Sequence, residues 1–182
     1  MKGPSPLDLF KVDTLTPYLH DLVELLIDAV DNGAAIGFLP PLSEQEAIDY
    51  WHCINDEIQH NSRQIVLVRV DEKVVGAIQL ELYAKANALH RAGIEKWMVL
   101  SSYQGQGLGR SLLQGVEKVA ASLNRQLLTC DTRVGDLAET ILTQQGWHQV
   151  GEVPKYSRTV MGTFYDCAIY YKPIEPTQDL YV

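Results

Sequence analysis

A chain of 182 residues and 20.4 kDa has the length of one domain, because domains usually run about 100 to 200 residues and this length buries a full core without disulfides or a structural metal. Hydrophobic residues make up 46% and charged residues 21%, ordinary proportions for a globular domain, and no stretch approaches the ~20 apolar residues of a membrane span. Fifteen Lys and Arg against 23 Asp and Glu give a net charge of -8, which argues against nucleic acid and anionic membrane surfaces as partners and suits an amine cation. Cys53, Cys130 and Cys167 form no CxxC pair, and the N-terminus lacks the basic-then-apolar succession of a signal peptide, so the expected location is a reducing cytoplasm.

No repeat or linker interrupts the sequence, and one domain over residues 1–182 is expected, with residues 1–6 and 174–182 peripheral. Thr16-Pro17 reads as an N-cap and first turn, and Leu19, Leu22, Val23, Leu26 and Val30 then recur at helical spacing until Asn32-Gly33. After Pro40-Pro41, Ser43 and Glu46 have capping-box spacing ahead of Ala47, Trp51, Ile54 and Ile58, which predicts a second helix. Ile65 to Val70 and Val74 to Tyr83 are β-rich runs with a hairpin-length connection. Gly93 to Leu100 predicts a third strand, which enters a glycine-rich turn and then a helix carrying Leu108, Leu112, Val116, Val119 and Leu123. Leu127 to Asp131 is strand-like, Asp136 and Glu139 predict a capped short helix ending at Gly146, and Trp147 to Val153 and Thr163 to Lys172 predict two closing strands joined around Pro154 and Gly162. A hairpin meander running into a β-loop-α-β crossover requires a mixed sheet, so the fold class is α/β or α+β.

The chemistry concentrates in Gln104-Gly105-Gln106-Gly107-Leu108-Gly109-Arg110. Glycines at every second position let backbone amides turn toward a guest without Cβ atoms in the way, and at a helix start those amides lie at the positive end of the helix dipole. The guest is an anion such as a pyrophosphate, and Arg110 adds a charge. No Lys follows the glycines, which excludes a nucleoside-triphosphate loop. A dinucleotide fingerprint is closer, since Asp131 follows Gly109 by 22 residues, but the glycines read GxGxG and the loop follows a meander instead of the first strand.

The segment Gln104 to Arg110, with its preceding strand and following helix, resembles the Q/R-x-x-G-x-G/A pyrophosphate loop of the GNAT N-acetyltransferases. The likeness extends from the helix near Thr16 to the strand ending at Lys172. His90-Arg91-Ala92, Asp131 to Asp136 and Gly146-Trp147 are in turn similar to the tabtoxin-resistance acetyltransferase group. The resemblance implies a mixed, mostly antiparallel sheet of six to seven strands with helices on both faces, and acetyl-CoA as cosubstrate. It implies direct acetyl transfer to the amine of a small molecule, such as an antibiotic or toxin-like compound, and a possible homodimer.

By the same resemblance the sheet splays just after Met98 and Val99, which makes them contacts for the pantetheine arm, and the amide of Val99 or Leu100 is the donor to the thioester oxygen. An alkylamine, with a pKa near 10.4, must lose a proton before attack. Glu95, the carboxylate on the strand leading to the loop, is the favoured base, with His90, Glu81 and Asp131 as competitors. The Tyr that commonly protonates the departing thiolate is replaced by Leu142, so Tyr156 is the substitute candidate, and Gly135 stands where many members carry a CoA-contacting Asn. His52, His60, Cys53 and Cys130 show no ligand spacing, and no metal is expected. Two other readings stay open on the sequence: a non-catalytic acyl-CoA-binding module, motivated by Leu142, and an NAD-dependent oxidoreductase, motivated by the glycines and Asp131.

Overall fold

A computed structural model describes residues 7–176. Seven strands form one sheet in the order β1-β2-β3-β4-β5-β7-β6: β1 (Leu7–Lys11), β2 (Arg63–Val70), β3 (Lys73–Leu82), β4 (Arg91–Val99), β5 (Leu127–Arg133), β6 (His148–Arg158) and β7 (Phe164–Pro173). All neighbours are antiparallel except β4 and β5, the pair joined by the crossover helix. Four helices complete the fold: α1 (Leu19–Asp31), α2 (Glu44–Gln59), α3 (Leu108–Ser122) and α4 (Leu137–Gln144).

The alternation of side chains along the strands assigns the helices to faces. Gln79 of β3 bonds the Tyr50 hydroxyl of α2, whereas its neighbour Ile78 pairs with Val66, a residue that packs beside Gly115 of α3. The helices α1 and α2 therefore cover one face, locked together where the Trp51 indole N–H donates to the Leu22 carbonyl at 2.8 Å. The helix α3 covers the other face, and α4 lies beside it, with Ile141 against Gly109. Leu22, Leu25, Leu26 and Trp51 on the first side, and Leu112, Leu113 and Val116 on the second, are fully buried against a sheet whose β2 and β3 are apolar on both faces.

Several boundaries differ from those the sequence predicts. The expected edge of the first helix is a 3-10 turn at Thr16–Tyr18, and the α-helix begins at Leu19. The Ser43 and Glu46 box forms in full. The pattern at Asp136 does not: its carboxylate accepts from the Arg133 guanidinium, and Glu139 accepts from the Gly135 N–H. Pro154 does not connect the closing strands but lies inside β6, where the register slips between Val153 and Ser157, as suits a proline at an edge-strand bulge. Strand β1 is unpredicted, being five residues long and stabilised by pairing with β2 some sixty residues away. Residues 1–6 and 177–182, expected to be peripheral, lie outside the described range, whereas Ile174 is tied in, its N–H donating to the Gln126 carbonyl while its side chain packs on the core. No helix among the described residues is long and apolar enough to cross a membrane.

Candidate active site

The parallel pairing of β4 with β5 covers only Arg91 to Ile94 against Leu127 to Cys130. Beyond it β4 stays with β3 and β5 stays with β7, so the sheet forks. The fork opens earlier than the expected position after Met98 and Val99, and a bulge in β4 around Lys96, with φ +47°, accompanies the divergence. The Leu100 N–H donates to the Val75 carbonyl at 2.8 Å, so it is not available to a ligand. By alternation the Met98 backbone also faces β3, where Met98 pairs with Ala77, and its side chain is buried. The Val99 amide faces the other way, into the fork, and its carbonyl accepts from the Gln104 side-chain amide at 3.3 Å.

The fork leads to the glycine loop. After a 3-10 turn at Ser101–Tyr103, Gly105 and Gly107 take φ +76° and +82°, values that favour glycine, and a Cβ built on either would project into open space. Gly107 is the N-cap of α3 and supplies no side-chain acceptor. The first helical bond is Ser111 N–H to Gly107 O, so the amides of Leu108, Gly109 and Arg110 have no helical acceptor and face outward at the positive end of the dipole. Leu108 buries its side chain in the core, Gly109 sits against Trp97 and Ile141, Gln106 is exposed, and Arg110 reaches Gln144 of α4. This cradle of free amides, with open space where Cβ atoms would stand, fits a pyrophosphate and the cosubstrate that carries it.

On the α1/α2 face of the fork lies an ionised cluster that sequence reasoning missed in part. The Arg63 guanidinium is buried and donates to Glu57 at 2.5 Å, to Glu95 at 2.9 Å and to the Gln79 amide oxygen at 3.1 Å. Burial works against its charge, and the bonds to Glu57 and Glu95 raise its pKa over that cost. Burial likewise pushes the Tyr50 phenol well above its ordinary range. The Glu81 carboxylate, one period-two step from Gln79, has no hydrogen-bond or ion-pair partner among the described residues, and burial together with the Glu95 charge raises its pKa above the usual range. The polar residues Gln79 and Glu81 at alternate positions of an otherwise apolar strand are the signal that marks this face.

Across the fork, Asp131 accepts from the Cys167 thiol at 3.7 Å, and burial, then the Asp131 charge, pushes that thiol up to about 11. Tyr156 of β6 is half-exposed beside them, and the Asp131 charge raises its phenol, with burial second. Arg133 stacks on Tyr165 and donates to the Gly33 carbonyl at 3.0 Å, which fastens the α1–α2 connection over β5. Leu142 is fully buried, so its side chain belongs to the core and not to the cleft. No group of three or more His, Cys, Asp or Glu that could hold a metal occurs among the described residues.

The family model described as the Acetyltransferase (GNAT) family matches residues 20–146. The chain belongs to the GNAT acetyltransferase family. It is 29% identical over 126 residues to an uncharacterized N-acetyltransferase in the hisH-hisA intergenic region of Azospirillum brasilense, covering 68% of this chain and 73% of that protein. Among solved structures it is similar to an acetyltransferase from Acinetobacter baylyi, at a TM-score of 0.81 and 16% identity over 97% of both chains. A ribosomal-protein-alanine N-acetyltransferase from Brucella melitensis gives 0.78 at 18% identity, over 91% of this chain and 99% of that one. An acetyltransferase from Salmonella typhimurium, solved with its cofactor acetyl-CoA, gives 0.76 at 15% identity, over 93% and 94%. The GNAT chain is thus an acetyltransferase. The dinucleotide reading is overturned by this membership and by a sheet whose single parallel pair is β4 with β5.

Proposed function

We propose that the chain transfers the acetyl group of acetyl-CoA directly to the amine of a small molecule. The observation that carries this reading is the continuity of the fork with the amide cradle. The Val99 N–H lies in the fork, the unpaired amides of Leu108, Gly109 and Arg110 lie at its end, and the acidic face of Glu81, Glu95 and Asp131 flanks it. The loop Gln104, Gly105, Gln106, Gly107, Leu108, Gly109 and Arg110 would hold the pyrophosphate. Val99, next to Met98, would hold the pantetheine arm by backbone pairing. The Val99 N–H also suits the negative charge that develops on the acyl oxygen during attack. The acidic face attracts the ammonium form of the acceptor, and a carboxylate there takes its proton. Tyr156, whose phenol stays protonated through the neutral range, would protonate the departing thiolate. The α1–α2 connection, fastened at Gly33 and lying against Lys96 at Gly37, narrows the acceptor side and supports a small acceptor over a folded protein.

The test is calorimetric titration with acetyl-CoA, followed by thiol detection of CoA release with a panel of alkyl- and arylalkylamines, amino sugars and an alanine-initiated peptide. Saturable binding and release with small amines is the expected result. Release with the peptide alone would transfer the reading to protein N-termini. Binding with no release by any amine would show a non-catalytic acyl-CoA-binding module.

A further inference from the structure

We propose that Glu81 of β3, and not Glu95 of β4, accepts the proton of the incoming ammonium, while Glu95, clamped by Arg63, serves as a fixed anion that orients it. The inference rests on the acetyltransferase reading above. Glu81 pairs in register with Gly93, and Gly93 pairs with Thr129 of β5 one step before the fork opens. A Cβ on Gly93 would lie 2.9 Å from the Tyr83 hydroxyl and 3.6 Å from Oε2 of Glu81. The space that a Gly93 side chain would take at the apex of the fork is filled by the Tyr83 hydroxyl, and the Glu81 carboxylate reaches across from the adjacent strand to lie beside it.

The two carboxylates differ in what they already hold. Oε2 of Glu95 takes the Arg63 guanidinium at 2.9 Å, with Lys96 Nζ at 4.0 Å, and Arg63 is itself fixed by Glu57 and Gln79. Glu81 has both oxygens uncommitted among the described residues. The charged groups around it are Arg63 of β2, Glu57 of α2, and Glu95 and Lys96 of β4, with the Tyr83 phenol over Gly93 and Arg91 stacked on that ring. Burial and the Glu95 charge favour its protonated form, the direction that makes a carboxylate a better proton acceptor near neutral pH.

In the reaction an ammonium N–H bond breaks toward a Glu81 oxygen, and the freed electron pair forms the N–C bond to the acetyl carbon. The C–S bond breaks with its pair to the CoA sulfur, the second amine proton ends on that sulfur, and the proton on Glu81 returns to solvent. The products are a neutral amide and CoA thiol.

The experiment compares Glu81→Gln and Glu95→Gln with the wild-type chain, using the panel amine that turns over best, across a range of about pH 5–10 that brackets the titration of a carboxylate base. The expected wild-type profile has an acidic limb above the ordinary Glu range. E81Q loses that limb and about 100-fold or more of kcat/KM at neutral pH, with acetyl-CoA affinity kept. E95Q keeps a limb, moved toward lower pH because the Glu95 charge that raises the Glu81 carboxyl is gone, and loses chiefly through a raised KM for the amine. E81Q is also expected to melt no lower than wild type at pH 7. A raised carboxyl pKa means that ionisation opposes folding as pH rises through it, and Gln removes that charge. An E81Q enzyme within threefold of wild type with its limb intact, or a limb that disappears in E95Q instead, overturns the assignment while leaving the acetyltransferase reading standing. Acetyl-CoA binding without CoA release by any amine in the wild-type chain overturns both.

Discussion

Replacing Gly107 by Ala tests the anion cradle, because the structure supplies its own matched control. Gly107 and Gly146 have φ +82° and +79°, and a Cβ at either position meets nothing within 4 Å. Each Ala therefore incurs the same left-handed strain, about 1–2 kcal/mol, which in a domain of this size lowers Tm by roughly 2–8 °C. The consequences for ligand binding diverge. Gly146 ends α4, whereas the methyl at position 107 projects beside the unpaired amides of Leu108, Gly109 and Arg110. Displacing a pyrophosphate oxygen from one such amide removes a charge-assisted bond of about 1.5–3 kcal/mol, a loss of roughly 10- to 150-fold in Kd. Thermal melts and calorimetric titration with acetyl-CoA read the two quantities separately. Equal melting shifts with weakened binding in G107A alone are expected. If G107A binds acetyl-CoA within threefold of G146A, the loop amides do not hold the pyrophosphate.

Arg63→Met leaves Glu57 and Glu95 without their shared cation. Their side chains are 43% and 36% exposed and can rehydrate, so the expected loss is about 2 kcal/mol by urea denaturation, below the ~3–5 of a fully buried pair; an unchanged midpoint would refute the clamp. Leu142→Tyr puts a larger side chain and an unpartnered hydroxyl into a fully buried position, and is expected to cost at least about 2 kcal/mol without raising kcat; a faster enzyme of wild-type stability would place that position in the cleft. Tyr156→Phe is expected to lower kcat by about tenfold or less, with KM for acetyl-CoA unchanged, because a thiolate of pKa ~8.5 departs with little help. Since the Asp131 charge and burial raise the Tyr156 phenol, its protonated form persists as pH rises through the neutral range, and a Tyr156-dependent fall in kcat below pH ~9 would refute its role as the acid.

Legibility in the sequence followed the distance over which each feature is encoded. The Ser43 and Glu46 box, the hairpin between β2 and β3, the helical period of α1 and α3 and the glycine loop are written within a few residues each, because caps, turns and periodicity act at that range. The family likeness, carried by Gln104 to Arg110, was readable for the same reason. Strand β1, the passage of β6 through Pro154 and the capture of Asp136 by Arg133 were not, since each depends on a partner or an edge position that only the assembled sheet supplies. The acidic face shows the same division most sharply. Glu95 stands out on its strand by sequence, yet which of its oxygens is committed is set by Arg63, 32 positions earlier and two strands away. Glu81 gains its position only because β3 pairs with β4 in the register that puts it over Gly93. A one-residue slip of that pairing would send its side chain to the α3 face, so the placement of the carboxylates belongs to sheet register and to no local signal.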